Sequence, residues 1–75
     1  MNTIEIEIDD DLAKLLGDSP EQVERRALEL IVLHLYRLRR LSPGRAAELL
    51  DLDRIEFIRW ADSLGIPDPD MTPQE

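Results

Sequence analysis

Eight of eleven consecutive residues are apolar in Leu28-Glu29-Leu30-Ile31-Val32-Leu33-His34-Leu35-Tyr36-Arg37-Leu38. Upstream of this run, Ser19-Pro20-Glu21-Gln22 has the pattern of a capping box. In that motif the serine side chain accepts a hydrogen bond from the glutamine backbone N–H, and the glutamine side chain bonds back to the serine. Proline is favoured at the first helical position, and no Gly or Pro follows before Pro43. The sequence therefore predicts a long helix from Pro20 to about Leu41.

The predicted long helix is apolar on nearly every side. The apolar residues of one face follow the three-and-four spacing of an amphipathic helix, and further apolar side chains lie on both flanks of that face. A helix of this kind is normally buried nearly all round, and a chain of 75 residues offers little to cover it. The sequence thus predicts burial by a second copy of the chain, with His34 packed on the apolar face. The residues of that face are Val23, Ala27, Leu30, Ile31, His34, Leu38 and Leu41.

The N-terminal segment Thr3-Ile4-Glu5-Ile6-Glu7-Ile8 alternates strictly between apolar and polar residues, which is typical of a half-buried β-strand. No other segment of the chain has this pattern. Pairing with the same strand of a second subunit would satisfy its backbone groups, and two-fold dimers are the commonest oligomers. We therefore expect an obligate-type homodimer with an intersubunit ribbon. Its predicted interface residues are Ile4, Ile6, Ile8, Leu30, Ile31, Leu35 and Leu38.

Three further helices are predicted from their start and stop signals. A short helix spans Asp10–Leu16, and two more span Pro43–Leu50 and Asp53–Leu64. The apolar set of the last helix is Ile55, Phe57, Ile58, Ala61 and Leu64. The fold class is therefore mainly α, with one N-terminal β-strand, a short helix, a long central helix and a C-terminal helix pair. The predicted organisation is a dimerisation part (1–41), a helix-turn-helix (42–66) and a disordered or extended tail (67–75).

The last two predicted helices have the features of a helix-turn-helix. A three-residue turn joins them, Ala47 allows close packing, and Asp51 stands where the motif often has Gly. The alternative is a helical hairpin that only packs on the long helix. Acidic residues on the last helix, such as Glu56, count against DNA contact because phosphates repel them.

The order of strand, short helix and long helix also matches that of ribbon-helix-helix dimers, whose paired strands enter the major groove. In such a dimer Glu5 would place carboxylates towards the DNA. We therefore interpret the ribbon as a dimerisation device.

The charge is segregated along the chain. The total is −8, made of −7 for residues 1–24, +5 for residues 25–45 and −6 for residues 46–75. An acidic chain is not a general nucleic-acid coating protein, but its middle carries a local basic ridge. Cations in the last turn of a helix also complement the helix dipole, so a purely structural role is the open alternative. The candidate DNA contacts are Arg37, Arg39, Arg40, Arg45, Arg54 and Arg59.

No catalytic or metal site is predicted. The chain has no Cys and a single His, and it lacks a Gly-rich phosphate loop, so no nucleophile–base set can be assembled. The consecutive residues Asp9, Asp10 and Asp11 are interpreted as a helix cap and first turn. We expect no enzyme activity and no cofactor. A membrane span is not expected either, since the apolar run is short and contains charged residues. Without a signal-peptide pattern, the default expectation is a cytoplasmic location.

The segment Ser42-Pro43-Gly44-Arg45-Ala46-Ala47-Glu48-Leu49-Leu50-Asp51-Leu52-Asp53-Arg54-Ile55-Glu56-Phe57 resembles a small uncharacterised prokaryotic family of predicted, VapB-like antitoxins. The resemblance extends to the alternating N-terminal strand, the Ser-Pro-Glu start of the long helix and Gly65-Ile66-Pro67. It implies that Ser42–Leu64 is a DNA-binding unit, that the protein represses its own operon, and that a PIN-domain ribonuclease toxin is a partner. The alternative from another class is a protein-interaction module that does not touch DNA.

Overall fold

The computed structural model describes residues 3–67, which contain four α-helices and no β-strand. The mainly helical fold class is thus confirmed. The helices are α1 (Asp10–Leu16), α2 (Pro20–Arg37), α3 (Pro43–Leu49) and α4 (Arg54–Ser63). Each helix packs on the next one along the chain. The tail predicted after Pro67 lies outside the described residues.

The helices begin where the sequence predicts, because local side-chain hydrogen bonds cap them. Ser19 accepts a hydrogen bond from the Gln22 backbone N–H at 3.2 Å, as expected. The Gln22 side chain accepts from the Asp18 N–H at 2.7 Å instead of returning to Ser19, so the predicted capping box is shifted by one residue. Caps at the other three helix starts involve Asp9, Ser42 and Asp53.

The long helix α2 ends at Arg37, four residues before the predicted Leu41. The cause is Arg39, whose φ of 63° places a non-glycine residue in the left-handed region. A Schellman motif closes this end, with N–H groups donating from Arg39 to Tyr36 O (3.0 Å) and from Arg40 to Leu35 O (2.8 Å). Glycine is the usual residue at the left-handed position that ends a helix. Because this position is an arginine here, the sequence does not indicate where α2 ends.

Helices α3 and α4 end in the same way. Asp51 (φ 57°) and Gly65 (φ 84°) take the left-handed position. The next residues, Leu52 and Ile66, donate their N–H groups to the carbonyl five residues earlier, at 2.8 and 3.0 Å. Both side chains then pack against the core, half-buried. The Schellman motifs at the ends of α3 and α4 therefore also direct the apolar residue that follows towards the core.

The core lies where α2 meets the α3–α4 hairpin. The rings of Tyr36 and Phe57 meet edge to face with centroids 4.9 Å apart, and Trp60 packs edge-on against Phe57 at 6.0 Å. Trp60 is half-buried. It lines a shallow cleft together with Arg25 and Glu29 of α2, beside the α3–α4 turn. The buried apolar residues are Val32, Leu33, Tyr36, Ala46, Ala47, Leu50, Phe57 and Ala61.

The side of α2 that is buried in the single chain differs from the stripe predicted to be covered by a second copy, and that cover stays a prediction. The buried residues of α2 are Val32, Leu33 and Tyr36, which lie on the flank of the predicted stripe. Because α2 is apolar on both sides, its periodicity does not tell which side meets the hairpin. His34 is exposed in the single chain, so its packing on the face predicted to meet a second copy stays a prediction. The outward residues of the predicted stripe include Leu30 (51% exposed), Ile31 (46%) and Leu38 (54%).

The strand predicted for residues 3–8 is not formed within one chain. Ile4 and Ile6 are 85% and 69% exposed, whereas Ile8 is half-buried. This segment makes no backbone hydrogen bond to another part of residues 3–67. Because the prediction pairs the strand with a second copy of the chain, it stays a prediction.

The turn between α1 and α2 depends on a close approach at Gly17. A Cβ atom at this position would lie 2.6 Å from the Cβ of Gln22 and 3.1 Å from the backbone N of Val23. The Gly17 N–H donates to the Ala13 carbonyl at 3.2 Å and ends α1. The missing side chain thus lets α1 fold back on the start of α2.

The fold predicts that the same substitution lowers the free energy of unfolding by different amounts at two neighbouring leucines. Leu50 is fully buried, whereas Leu49 is 37% exposed. We expect Leu50→Ala to lower the free energy of unfolding by about 2–5 kcal/mol, through lost burial and a residual cavity. The matched control Leu49→Ala should cost less than about 1 kcal/mol, as most partly exposed sites do. Urea denaturation followed by circular dichroism measures both values, and equal costs would contradict the described core.

Candidate nucleic-acid interface

The α3–α4 hairpin is built around one tight turn. Four residues, Leu50–Asp53, separate the helices, one more than the sequence predicts. Asp51 supplies the left-handed conformation that reverses the chain, a conformation that Asp tolerates better than most residues. Ala47 is 2% exposed, so the helices approach closely there. The hairpin is therefore a compact unit that holds α4 in a fixed orientation.

Helix α4 has an inward and an outward face. Phe57 and Ala61 are fully buried, whereas Ile55 is 56% exposed and Arg59 is exposed. Residues two positions apart on a helix point in nearly opposite directions, so Ile55 and Arg59 share the face opposite Phe57 and Ala61. Of the predicted apolar set of this helix, Ile55 and Leu64 lie outside the core, since Leu64 is also 53% exposed.

All six arginines predicted to contact DNA are exposed. Arg45 donates to the Glu48 carboxylate at 3.0 Å, on the surface of α3. Within residues 3–67 the other five make no ion pair with a carboxylate. Two arginines outside the predicted set, Arg25 and Arg26, are instead paired with Glu29 at 3.2 and 3.6 Å. The free guanidinium groups are therefore those near the end of α2 and on α4.

Arginines that make no ion pair within residues 3–67 lie near both ends of α4. Arg37 and Arg39 line a cleft of about 420 Å³ together with Tyr36 and the segment after α4, 64–67. This cleft lies at the C-terminal end of α4, whereas Arg54 is the first residue of that helix. Ten residues of helix separate the two ends by about 15 Å, at 1.5 Å per residue. The structure thus spreads the predicted set from the end of α2 to the start of α4 and does not bring it together at a point.

Carboxylates lie among these arginines. Asp53, Glu56 and Asp62 are exposed on α4 or at its start. Acidic groups in the first turn complement the helix dipole, which accounts for Asp53 and Glu56 locally. Their charge opposes that of Arg54. An anionic partner can therefore approach α4 only along a face that avoids these side chains.

Other kinds of site find no support in the described part of the chain. Residues 3–67 hold no group of His, Asp or Glu side chains arranged to bind a metal ion. None of the helices in this part combines the length and the hydropathy that a membrane crossing needs.

Two features of the surface were missed by sequence reading. One is the exposure of Ile55, which belongs to the predicted apolar set but lies off the four-residue spacing of Phe57 and Ala61. That spacing was a usable signal. The other is the cleft beside Arg37 and Arg39, which depends on the early end of α2 and had no signal in the sequence.

Comparison with known proteins assigns the chain to a family. The Uncharacterised protein family (UPF0175) matches residues 1–75. The chain belongs to this family. The predicted membership of a small uncharacterised family is confirmed at that level. No curated protein and no solved structure gives a significant match.

The backbone at the end of α2 predicts a stabilising substitution. Arg39→Gly should raise the free energy of unfolding by about 0.5–1 kcal/mol, because glycine adopts the left-handed conformation without the cost that a side chain adds. The matched control is Arg40→Gly, which removes the same charge at a residue outside the left-handed region. That variant should be neutral or destabilised. Thermal melting checks both, and a lower midpoint for Arg39→Gly would contradict the motif.

Proposed function

We propose that this UPF0175 member is a small DNA-binding regulator of antitoxin type, which acts as a homodimer on its own operon. The observation that carries the proposal is the α3–α4 hairpin, on which Arg54 and Arg59 are exposed and make no ion pair within residues 3–67. The protein is not an enzyme in this proposal, it needs no cofactor, and it acts in the cytoplasm.

The hairpin supports a helix-turn-helix interpretation by its packing. The left-handed Asp51 in the turn, the buried Ala47 between the helices and the buried Phe57 of the second helix are the parts that such a unit needs. In this motif the second helix enters the major groove, and the residues near its N-terminus contact base edges. Arg54 and Arg59 then belong to the helix that contacts bases.

The end of α2 supplies a second set of positive groups for phosphates. Arg37, Arg39 and Arg40 are exposed beside the hairpin. Charges at physiological salt are screened beyond about 8 Å, so a local basic ridge acts on DNA despite the net charge of −8. Phosphate contacts of this kind fix the position and register of the protein, whereas base contacts provide the sequence preference.

The outward face of α2 supports a dimer. Leu30, Ile31 and Leu38 are about half exposed on one helix, and Ile4 and Ile6 add apolar surface at the N-terminal segment. Surfaces of this kind commonly mark protein–protein contacts. A two-fold dimer would present two hairpins to two DNA half-sites, and the strand at residues 3–8 would pair across the axis.

The antitoxin part of the proposal is supported by the resemblance of Ser42–Phe57 to VapB-like proteins. A toxin partner, a PIN-domain ribonuclease, belongs to the proposal on the same ground. Co-expression with a nuclease encoded by the neighbouring gene tests it: rescue of growth and joint purification are the expected results.

A protein-interaction module is the second candidate. The carboxylates of Asp53, Glu56 and Asp62 favour it, because they repel phosphates from part of α4. In that case the exposed Ile55 would contact a protein partner, and DNA would not bind.

The proposed DNA contacts predict a separation between affinity and specificity. Arg39→Ala combined with Arg40→Ala should weaken binding to all sequences alike, whereas Arg54→Ala should mainly reduce discrimination between sites. Binding should also fall with salt by a log–log slope of about −0.9 for each phosphate neutralised. Titration of the upstream region and of scrambled DNA at two salt concentrations measures these effects. Equal and micromolar-or-weaker binding of both duplexes by the wild type would favour the interaction module.

The proposed dimer predicts a change of mass from one substitution. Ile31→Lys places a charge on the exposed apolar face of α2 and should convert a dimer into a monomer, without a large loss of helix since Ile31 is 46% exposed. Ser63→Lys, at an exposed position of α4, is the control and should stay dimeric. Light scattering coupled to size exclusion gives the mass. A fully helical monomer for the wild type at micromolar concentration would refute the dimer.

A further inference from the structure

Ile55 has no role in the core. It is 56% exposed, and the cluster of buried and half-buried apolar residues does not include it. The other large apolar residues between Arg54 and Ser63 are Phe57, Ile58 and Trp60, all of which pack into or against that cluster. Within α4 as described, Ile55 is thus the large apolar side chain that faces outward. Neither packing nor helix propensity explains it, since Ile is a modest helix former.

Cationic and anionic side chains both surround Ile55: Glu56 follows it in the chain, and Asp62 lies two turns along the same face. Arg54 precedes Ile55 in the chain, and Arg59 lies one helical turn away on the same face. Neither arginine makes an ion pair within residues 3–67, in contrast to Arg25 and Arg26, which share Glu29. Ile55 is therefore an apolar group between two available guanidinium groups.

The chemistry of the DNA major groove contains a matching pattern. Thymine carries the C5-methyl group, which apolar side chains contact, and guanine presents two acceptors to which arginine binds in bidentate fashion. Cytosine presents an N4 amino donor in the place of the thymine O4 acceptor and carries no methyl group at C5. An isoleucine between arginines therefore fits a thymine close to a guanine.

We infer that Ile55 is a specificity-determining residue that contacts the C5-methyl group of a thymine in each half-site. This inference rests on the proposed DNA-binding function and specifies the site that it recognises. Ile55 lies in the first turn of α4, the part of a recognition helix that reaches base edges. The carboxylate of Asp62 lies two turns further along, so this contact does not require Asp62 to enter the groove.

The contact is tested with uracil, which differs from thymine by the loss of that methyl group alone. The wild-type full chain first selects tight sites from a pool of random DNA duplexes. The thymines of the selected duplex are then replaced by deoxyuridine one at a time. We expect one position in each half-site to weaken binding by about fourfold, the effect of one buried methyl group. Fluorescence anisotropy at fixed salt gives the affinities.

Two variants test whether Ile55 makes the contact with the thymine methyl group. Ile55→Ala should bind the thymine and uracil duplexes equally. Leu64→Ala, which truncates an apolar side chain of similar exposure (53%) after α4, should keep the fourfold difference. Both variants should melt within a few degrees of the wild type, because the residues are exposed.

The outcomes separate this inference from the function on which it rests. If the wild type selects no sequence and binds no duplex, the proposed function and the inference both fail. If it binds DNA but no uracil substitution matters, or Ile55→Ala keeps the discrimination, only the inference fails. A lower oligomer mass for Ile55→Ala also overturns it and would place Ile55 in a protein interface.

Discussion

Tyr36 and Phe57 meet edge to face at the centre of the molecule, with centroids 4.9 Å apart. They belong to α2 and α4, which are far apart in the chain, so this contact fixes the hairpin on the long helix. Both rings are almost completely buried, and α3 reaches the same core through Ala46 and Ala47. Aromatic pairs of this geometry add about 0.5–1.5 kcal/mol to the burial of their area. The side of α2 that faces solvent follows from this contact, because the hairpin occupies the side that carries Tyr36.

The same arrangement separates two kinds of surface. Helix α4 of the hairpin carries the exposed Arg54 and Arg59, which make no ion pair within residues 3–67. The side of α2 away from the hairpin carries exposed leucine and isoleucine, including Ile31. A charged surface and an apolar surface on different sides can serve different partners at once. This division fits a regulator that associates with its own copy on one side and with DNA on the other.

The sequence predicts local features well and tertiary ones poorly. The starts of all helices follow from caps such as Ser19, because those hydrogen bonds join residues three positions apart. The end of α2 was misplaced, since the left-handed residue there is Arg39 and not a glycine. The side of α2 that meets the hairpin does not follow from its periodicity, because the position of Phe57 decides it. In the candidate site the arginines could be named in advance, but the cleft beside Arg37 and Arg39 could not, because it depends on the early end of α2.

The packing of each helix on its neighbour in sequence has a kinetic consequence. Chains whose contacts join nearby residues lose little loop-closure entropy before native contacts form, and helical proteins of this type fold in microseconds to milliseconds. The hairpin of α3 and α4 needs a closure of only four residues, Leu50–Asp53, and can assemble before α2 is in place. Docking on Tyr36 would then be the late step. A nascent chain would present a nearly complete hairpin as soon as Ile66 has emerged.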